Sequence, residues 1–342
     1  MIRSLLTIDR PIGRGQFSDV YAIRHRYMGM QALKVLRDGR TESAREDGLR
    51  EAFTLSKLTC PSIVRVFDCG MLPKSLGGSP YITMEWIGGG TLHAMAAGFM
   101  TLELNAVYDI AHQLIGALRE AHRMSPPILH RDIKPSNVLI ERRSDSSWRA
   151  CIGDFGLAVP LDVNLGLVPA AGTLAYRAPE SFAGYEMPAS DVYSLGLVLY
   201  ELATGVMPVL LLLEGVNVGD DSRVRELLSG SLATQIEPLT HYRHAIHPAF
   251  DAMVMRCLAP DVSDRFCDAV DLMRFMECVL WAVKRDPEPS TSTREALAIA
   301  RRGEFVTQSA EMLERATDAD SKLRATYSPM IRYLRGTEGP VP

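Results

Sequence analysis

The stretch His130-Arg131-Asp132-Ile133-Lys134-Pro135-Ser136-Asn137 is the most chemically loaded run of the chain. It offers a carboxylate that can receive a hydroxyl proton, a lysine that can meet a moving phosphate, and an amide oxygen suited to a hard cation. Seventeen residues beyond Asn137 stands Asp154-Phe155-Gly156, bracketed by the apolar Ile152 and Leu157. An Asp-Phe-Gly triplet alone is common by chance. At this distance from the first stretch, in this order, it supplies a second carboxylate to the same chemistry.

Upstream, Ile12-Gly13-Arg14-Gly15-Gln16-Phe17-Ser18-Asp19-Val20 forms a glycine-rich turn. Glycines let a backbone close over phosphates with no side chain in the way; Ser18 takes the place of a third glycine and is small enough to do the same. Lys34 follows in Ala32-Leu33-Lys34-Val35, an apolar strand in which a surface lysine is out of place. Downstream lie Gly172-Thr173-x-x-Tyr176-x-Ala178-Pro179-Glu180, Asp191 in Asp191-Val192-Tyr193-Ser194-Leu195-Gly196, and Asp264-Arg265-Phe266. Together these motifs resemble eukaryotic-type (Hanks-type) protein serine/threonine kinases in their bacterial style, over residues 7 to 284.

The resemblance implies an α+β, bilobal protein-kinase fold: a β-rich N-lobe at 1–87, a mainly helical C-lobe at 88–285, and a linker with a helical C-terminal extension at 286–342. It implies ATP and Mg²⁺ as cofactors and protein substrates carrying Ser or Thr. Asp132 takes the part of catalytic base, and Lys134 neutralises charge on the transferring group. Lys34 holds the nucleotide phosphates and pairs with a helix glutamate, Glu51 before Glu46. Asn137 and Asp154 hold the metal. Gly13, Gly15, Ser18, Val20, Ala32, Lys34, Met84, Glu85, Ile87 and Leu139 form the nucleotide pocket, with Glu85 and Ile87 acting through their backbone. Glu180 is expected to pair with Arg265, and Asp191 to anchor the catalytic loop. Lys134 and Gly172-Thr173 favour Ser/Thr over Tyr. A pseudokinase of this fold would lack Lys34, Asp132 or Asp154, and a small-molecule phosphotransferase would lack Lys134 and Ala178-Pro179-Glu180; all are present here.

One feature departs from the family plan. An arginine before the catalytic aspartate, here Arg131, commonly meets a phosphate on the activation segment. Leu157 to Gly172 contains no Ser, Thr or Tyr, and the first hydroxyl is Thr173. Activity without phosphorylation in that segment is expected, with Asp162 a candidate acidic partner for Arg131.

Bulk composition is ordinary for a soluble globular protein: 342 residues, 47% apolar, 23% charged, net charge -4. No chain-wide basic field draws it to nucleic acid or an anionic membrane. The apolar run Val206 to Leu213, interrupted by Pro208, falls short of the roughly 20 residues of a spanning helix. Asp9 and Arg10 arrive too early for a signal-peptide core, so a cytoplasmic protein is expected, without nucleic-acid or membrane partners. The six cysteines show no C-x-x-C spacing and read as reduced structural thiols.

Periodicity predicts a charged helix over Arg45–Leu58, with Leu49, Phe53 and Ser56–Leu58 near one face. It also predicts a strand at Tyr81–Ile87 running into a Gly88-Gly89-Gly90 hinge, an amphipathic helix over Ala106–His122, and a helix apolar all round over Val192–Leu202. Pro287–Thr293 has linker composition. Beyond it, Ala296-x-x-x-Ala300-x-x-Gly303-x-Phe305 and Ala310-x-x-x-Glu314-x-Ala316 resemble one tetratricopeptide unit, or an ordinary amphipathic helix pair. A lone unit cannot bury both faces and must dock on the kinase or on a partner. His241-x-x-His244-x-x-His247 reads as a polar connector, because no cysteine or carboxylate nearby completes a metal site.

Overall fold

The computed structural model describes residues 6–15, 18–37, 53, 55–76, 78–97, 102–155, 159–160, 174–212, 236–301 and 306–337. The N-lobe is a sheet of five antiparallel strands: β1 (Leu6–Arg14), β2 (Ser18–His25), β3 (Gly29–Leu36), β4 (Val66–Met71) and β5 (Pro80–Glu85), in the order β1-β2-β3-β5-β4. Alternation along β3 sorts its side chains onto two faces. Leu33 joins Ile23 and Tyr81 in a small outer cluster, with Val35 packed against it. The registers Val20↔Lys34, Ala32↔Met84 and Lys34↔Ile82 gather Val20, Ala32, Lys34 and Met84 on the opposite face. There Met84, together with Leu139 from the C-lobe, packs against Val64, Ile87 and Cys151.

Only the end of the Arg45–Leu58 helix is described, and it corrects the expected inward face. Leu55 and Leu58 are buried, whereas Phe53 is 61% exposed. Residues three apart share a helix face, while two apart lie nearly opposite. At the hinge, a Cβ on Gly89 would lie 2.1 Å from the Ile140 carbonyl oxygen, so only glycine lets the connection run this close to the C-lobe.

The C-lobe holds α1 (Leu92–Ala97), α2 (Leu104–His122), α3 (Pro188–Thr204), α4 (Pro208–Leu212), α5 (Leu239–Tyr242), α6 (Pro248–Cys257) and α7 (Ala269–Arg285). Between α2 and α3 lie the short strands β6 (Ile128–Leu129), β7 (Val138–Arg142), β8 (Trp148–Ile152) and β9 (Val159–Pro160), paired β6–β9 and β7–β8. Helix α2 buries Val107, Ile110, Ala111, Leu114, Ile115 and Leu118, the positions picked out by its period. Helix α3 is buried on nearly every side, as a helix without a polar face must be. It starts on Pro188 and ends at Gly205, whose φ of 74° is left-handed.

Three helices follow α7: α8 (Thr291–Ile299), α9 (Val306–Thr317) and α10 (Ser321–Leu334). The Ser/Thr-rich end of the expected linker proves to be the start of α8, where the Ser290 hydroxyl caps the helix by accepting from the Thr293 N–H at 3.3 Å. The third helix was not expected, because Pro329 sits inside it and a proline ordinarily marks a helix end. Ala296, Leu297, Ala310, Leu313, Tyr327 and Met330 are buried in the same core as the C-lobe helices. The extension therefore docks on the C-lobe, α8 against α6 and α10 against α7. All six cysteines are free thiols. Among the described residues no helix is long and apolar enough to cross a membrane.

Candidate active site

Between β6 and β7 the chain makes a turn that ends in a short 3-10 helix, Pro135–Asn137. Asp132 is fixed in this turn from two sides. The Lys134 ammonium lies 2.7 Å from one of its carboxylate oxygens. The Asn137 amide nitrogen donates to the Asp132 carbonyl at 2.8 Å and to its Oδ2 at 3.0 Å. With those donations made, the Asn137 amide oxygen is the atom available to a cation.

Asp191 holds the turn from beneath. Its carboxylate accepts the backbone N–H of His130 at 2.7 Å and of Arg131 at 2.8 Å. The His122 Nε2 approaches the same carboxylate at 3.2 Å, and its Nδ1 accepts from the Ala269 N–H at 3.1 Å. An accepting Nδ1 leaves the proton on Nε2, pointed at the carboxylate. Burial pushes the Asp191 carboxyl up, but His122, His130 and these hydrogen bonds outweigh it and hold the group below the ordinary carboxylate value. The backbone of Arg131 is left-handed, with φ of 65°, a conformation costing a non-glycine residue about 1–3 kcal/mol; the two bonds to Asp191 hold it there.

Asp154 is delivered opposite by β8. Its φ of 57° turns the chain, and its Oδ1 lies 2.6 Å from the Lys34 ammonium. The Asp154 side chain is 48% exposed while Lys34 is 9% exposed, so the carboxylate faces the cleft and the lysine supports it from the sheet. Burial raises the Asp154 carboxyl, yet Lys34, His130 and Lys134 together bring it below its ordinary value. Phe155 is buried with its ring 4.5 Å from that of His130. The His130 Nε2 meets the Gly153 carbonyl at 3.1 Å. His130 thus ties the two halves of the site together.

The structure brings Lys34, Asp132, Lys134, Asn137 and Asp154 into one group, linked by the contacts above and by the pull of Lys134 on Asp154; Val20, Ala32 and Met84 share the sheet face of Lys34, and Leu139 packs with Met84 against Ile87. Gly13 lies in β1 across from Val20. Gly15 donates its N–H to the Ser18 carbonyl at 2.8 Å, closing the glycine-rich turn. The Glu85 N–H is committed to the Arg65 carbonyl at 2.8 Å, leaving the carbonyl as the Glu85 group that can turn to a ring. Glu51, Glu46, Gly156, Asp162, Gly172 and Thr173 lie outside the described residues. Burial lowers the pKa of the Arg131 guanidinium, against the opposing pull of Glu186 and Asp191. Glu186 is held in turn by Arg177 at 2.9 Å and Ser181 at 3.1 Å.

Glu180 and Arg265 form the expected pair at 2.8 Å, and the Ser190 hydroxyl donates to the same Glu180 oxygen at 2.6 Å. His247, the last of the three spaced histidines, caps α6: its Nδ1 accepts from the Ala249 N–H at 3.1 Å. No group of three His, Cys, Asp or Glu suited to a metal occurs among the described residues. Sequence reasoning missed His122. It stands 69 residues from Asp191, and nothing local to a helix end announces that contact.

A family model for the protein kinase domain matches residues 6–276. The chain is 29% identical over 311 residues to serine/threonine-protein kinase pkn3 of Myxococcus xanthus, covering 86% of this chain and 53% of that protein. It is 30% identical over 273 residues to the probable serine/threonine-protein kinase PknB of Lactococcus lactis, covering 78% and 40%. With serine/threonine-protein kinase PknB of Mycolicibacterium smegmatis it shares 32% identity over 276 residues, covering 76% and 40%. The chain spans about half or less of the length of these curated relatives. Fold, cleft and family match agree: the chain belongs to the protein kinase domain family, in its bacterial Hanks-type serine/threonine branch.

Proposed function

We propose that this chain transfers the γ-phosphoryl group of ATP to Ser and Thr hydroxyls of protein substrates. The observation that carries the reading is Asp132, oriented by Lys134 and Asn137 within a turn that Asp191 holds from below. A carboxylate so fixed can align a substrate hydroxyl and accept its proton as the bond to phosphorus forms. Lys134, beside it, balances charge on the transferring group. Lys34 is placed by β3 to reach the nucleotide phosphates, with Glu51 as its helix partner. The glycine-rich turn at Gly13, Gly15 and Ser18 covers them.

The Asn137 amide oxygen and the cleft-facing Asp154 carboxylate are hard oxygen donors that fit Mg²⁺. Held there, Mg²⁺ would neutralise charge on the phosphates. Val20, Ala32, Met84 and Leu139 enclose the adenine, and the backbone of Glu85 and Ile87 hydrogen-bonds it. ATP as donor accords with a cytoplasmic location.

Incubation with γ-labelled ATP, Mg²⁺ and a generic Ser/Thr substrate tests the reading beside Asp132→Ala. Transfer by the wild type is expected to fall by at least about a hundredfold in the variant. Equal transfer by both proteins would remove Asp132 from the chemistry and the reading with it.

A further inference from the structure

Arg149 of β8 makes a group of directed side-chain contacts at the lobe junction. Its Nη1 and Nη2 donate to the two carboxylate oxygens of Glu85, at 2.6 and 2.9 Å. The same Nη2 donates to the Pro61 carbonyl at 3.1 Å, and Nη1 lies 3.4 Å from Glu141 of β7. Glu141 pairs with Arg149 in the β7–β8 register, and its Oε2 accepts from the hinge Gly88 N–H at 3.4 Å. All three side chains are largely shielded from solvent. The Glu85 hydrogen bonds are the largest influence on Arg149 and raise its pKa.

One guanidinium thus joins four pieces of chain: the last residue of β5, the β7–β8 hairpin, the loop ahead of β4, and, through Glu141, the hinge. A forked, two-bond contact fixes orientation as well as distance. What it fixes is the exit of β5, where the carbonyl of Glu85 and the N–H of Ile87 would meet an adenine. Leu139, which would pack under that ring, sits on the same β7 strand that Glu141 steadies.

We propose that Arg149 is a positioning residue for the nucleotide, acting through Glu85 and Glu141 to set the adenine-facing backbone of the hinge. The inference rests on the reading of the cleft as an ATP site. It assigns to Arg149 the adenine end of the ligand alone. The triphosphate end is served by Lys34, the glycine-rich turn and Asp154, whereas Arg149 bonds to Glu85, Glu141 and Pro61.

Calorimetric titration of the full chain with Mg²⁺-ADP and, separately, with tripolyphosphate tests it, for wild type, Arg149→Met and Glu85→Gln. Losing the charge-assisted pair is expected to weaken ADP by about tenfold in Arg149→Met, with tripolyphosphate affinity unchanged. Glu85→Gln keeps the shape and one acceptor, and should lose less. Arg149→Lys keeps the charge but not the fork and should recover only part of the affinity. Thermal melts of each protein establish that it is folded, and Glu85→Gln carries the test if Arg149→Met does not fold. Wild-type affinity for ADP in both variants, or equal loss of ADP and tripolyphosphate, would overturn the positioning role. A wild type that bound no ADP would instead overturn the ATP-site reading, so the two failures are distinct.

Discussion

Asp191 directs its carboxylate to two backbone N–H groups of the catalytic loop and to His122, all in the protein interior. Asp191→Asn places an amide NH₂ where a donor must be met by an acceptor. One loop N–H is left unpaired, at a cost of about 2–3 kcal/mol. Urea denaturation is expected to show that loss, and peptide phosphorylation should fall with it; a variant as stable and active as wild type would refute the anchoring role. The pH dependence has a definite sign. The folded pKa of Asp191 lies below the ordinary 3.8, so its contribution is complete above that value and is lost as pH falls through the folded one. The acid limb should flatten in the variant. At this scale the sequence was most readable where chemistry demands particular groups in a contiguous run: Asp132, Lys134 and Asn137 lie within six residues, and the structure brings them into contact. Contacts such as Asp191 with His122 or Glu85 with Arg149 cross more than sixty residues, and no local pattern encodes them.

Helix α6 illustrates how a polar residue acts through the element it caps. The His247 Nδ1 accepts from the first turn, and its Nε2 donates to the Asp286 carbonyl at 3.0 Å, where the extension begins. Burial holds the imidazole pKa below its ordinary 6.5, with Asp286 opposing and Arg294 reinforcing that shift. A proton on Nδ1 would confront the Ala249 N–H. Because the folded pKa is the lower one, the unfolded chain binds the proton first. Stability is therefore full above 6.5 and falls as pH drops from there through the folded value. Thermal melts between pH 7.5 and 5 should show that decline, and His247→Ala should remove part of it while losing about 1 kcal/mol of capping at neutral pH. An unchanged slope would contradict the assignment. Among elements, α2 and α3 were legible because a single apolar stripe, or an apolar surface all round, forces the burial pattern. Helix α10 was not, since Pro329 hides a helix whose packing against α7 supplies what propensity does not.

At the scale of the whole molecule, the extension completes the C-lobe. Asp251 of α6 is fully buried, accepts the Leu239 N–H at 2.6 Å, and finds its charge partner in Arg301, beyond α8. The Tyr327 and Tyr333 hydroxyls donate to Asp286 at 2.9 Å and Asp271 at 2.8 Å, fastening α10 to α7. Arg301→Met strands the Asp251 charge and is expected to destabilise the protein by about 3 kcal/mol. Asp251→Asn in the same chain should restore part of that, as chemical denaturation of the single and double variants would show; equal stability of Arg301→Met and wild type would disprove the coupling. The small residues Ala296, Ala300 and Ala310 announced a close helix pair in the sequence, but not the surface it covers, since that surface belongs to helices far earlier in the chain.

The central claim is a serine/threonine kinase whose site is assembled without a phosphate on Leu157–Gly172, a run that holds no hydroxyl. Its most direct test is phosphoamino-acid analysis of a protein substrate labelled by phosphatase-treated enzyme, with Mg²⁺ and γ-labelled ATP, followed from the first turnover. The account predicts phosphoserine and phosphothreonine formed at a constant rate with no lag. A lag removed by prior autophosphorylation at Thr173, or label on tyrosine alone, would contradict it.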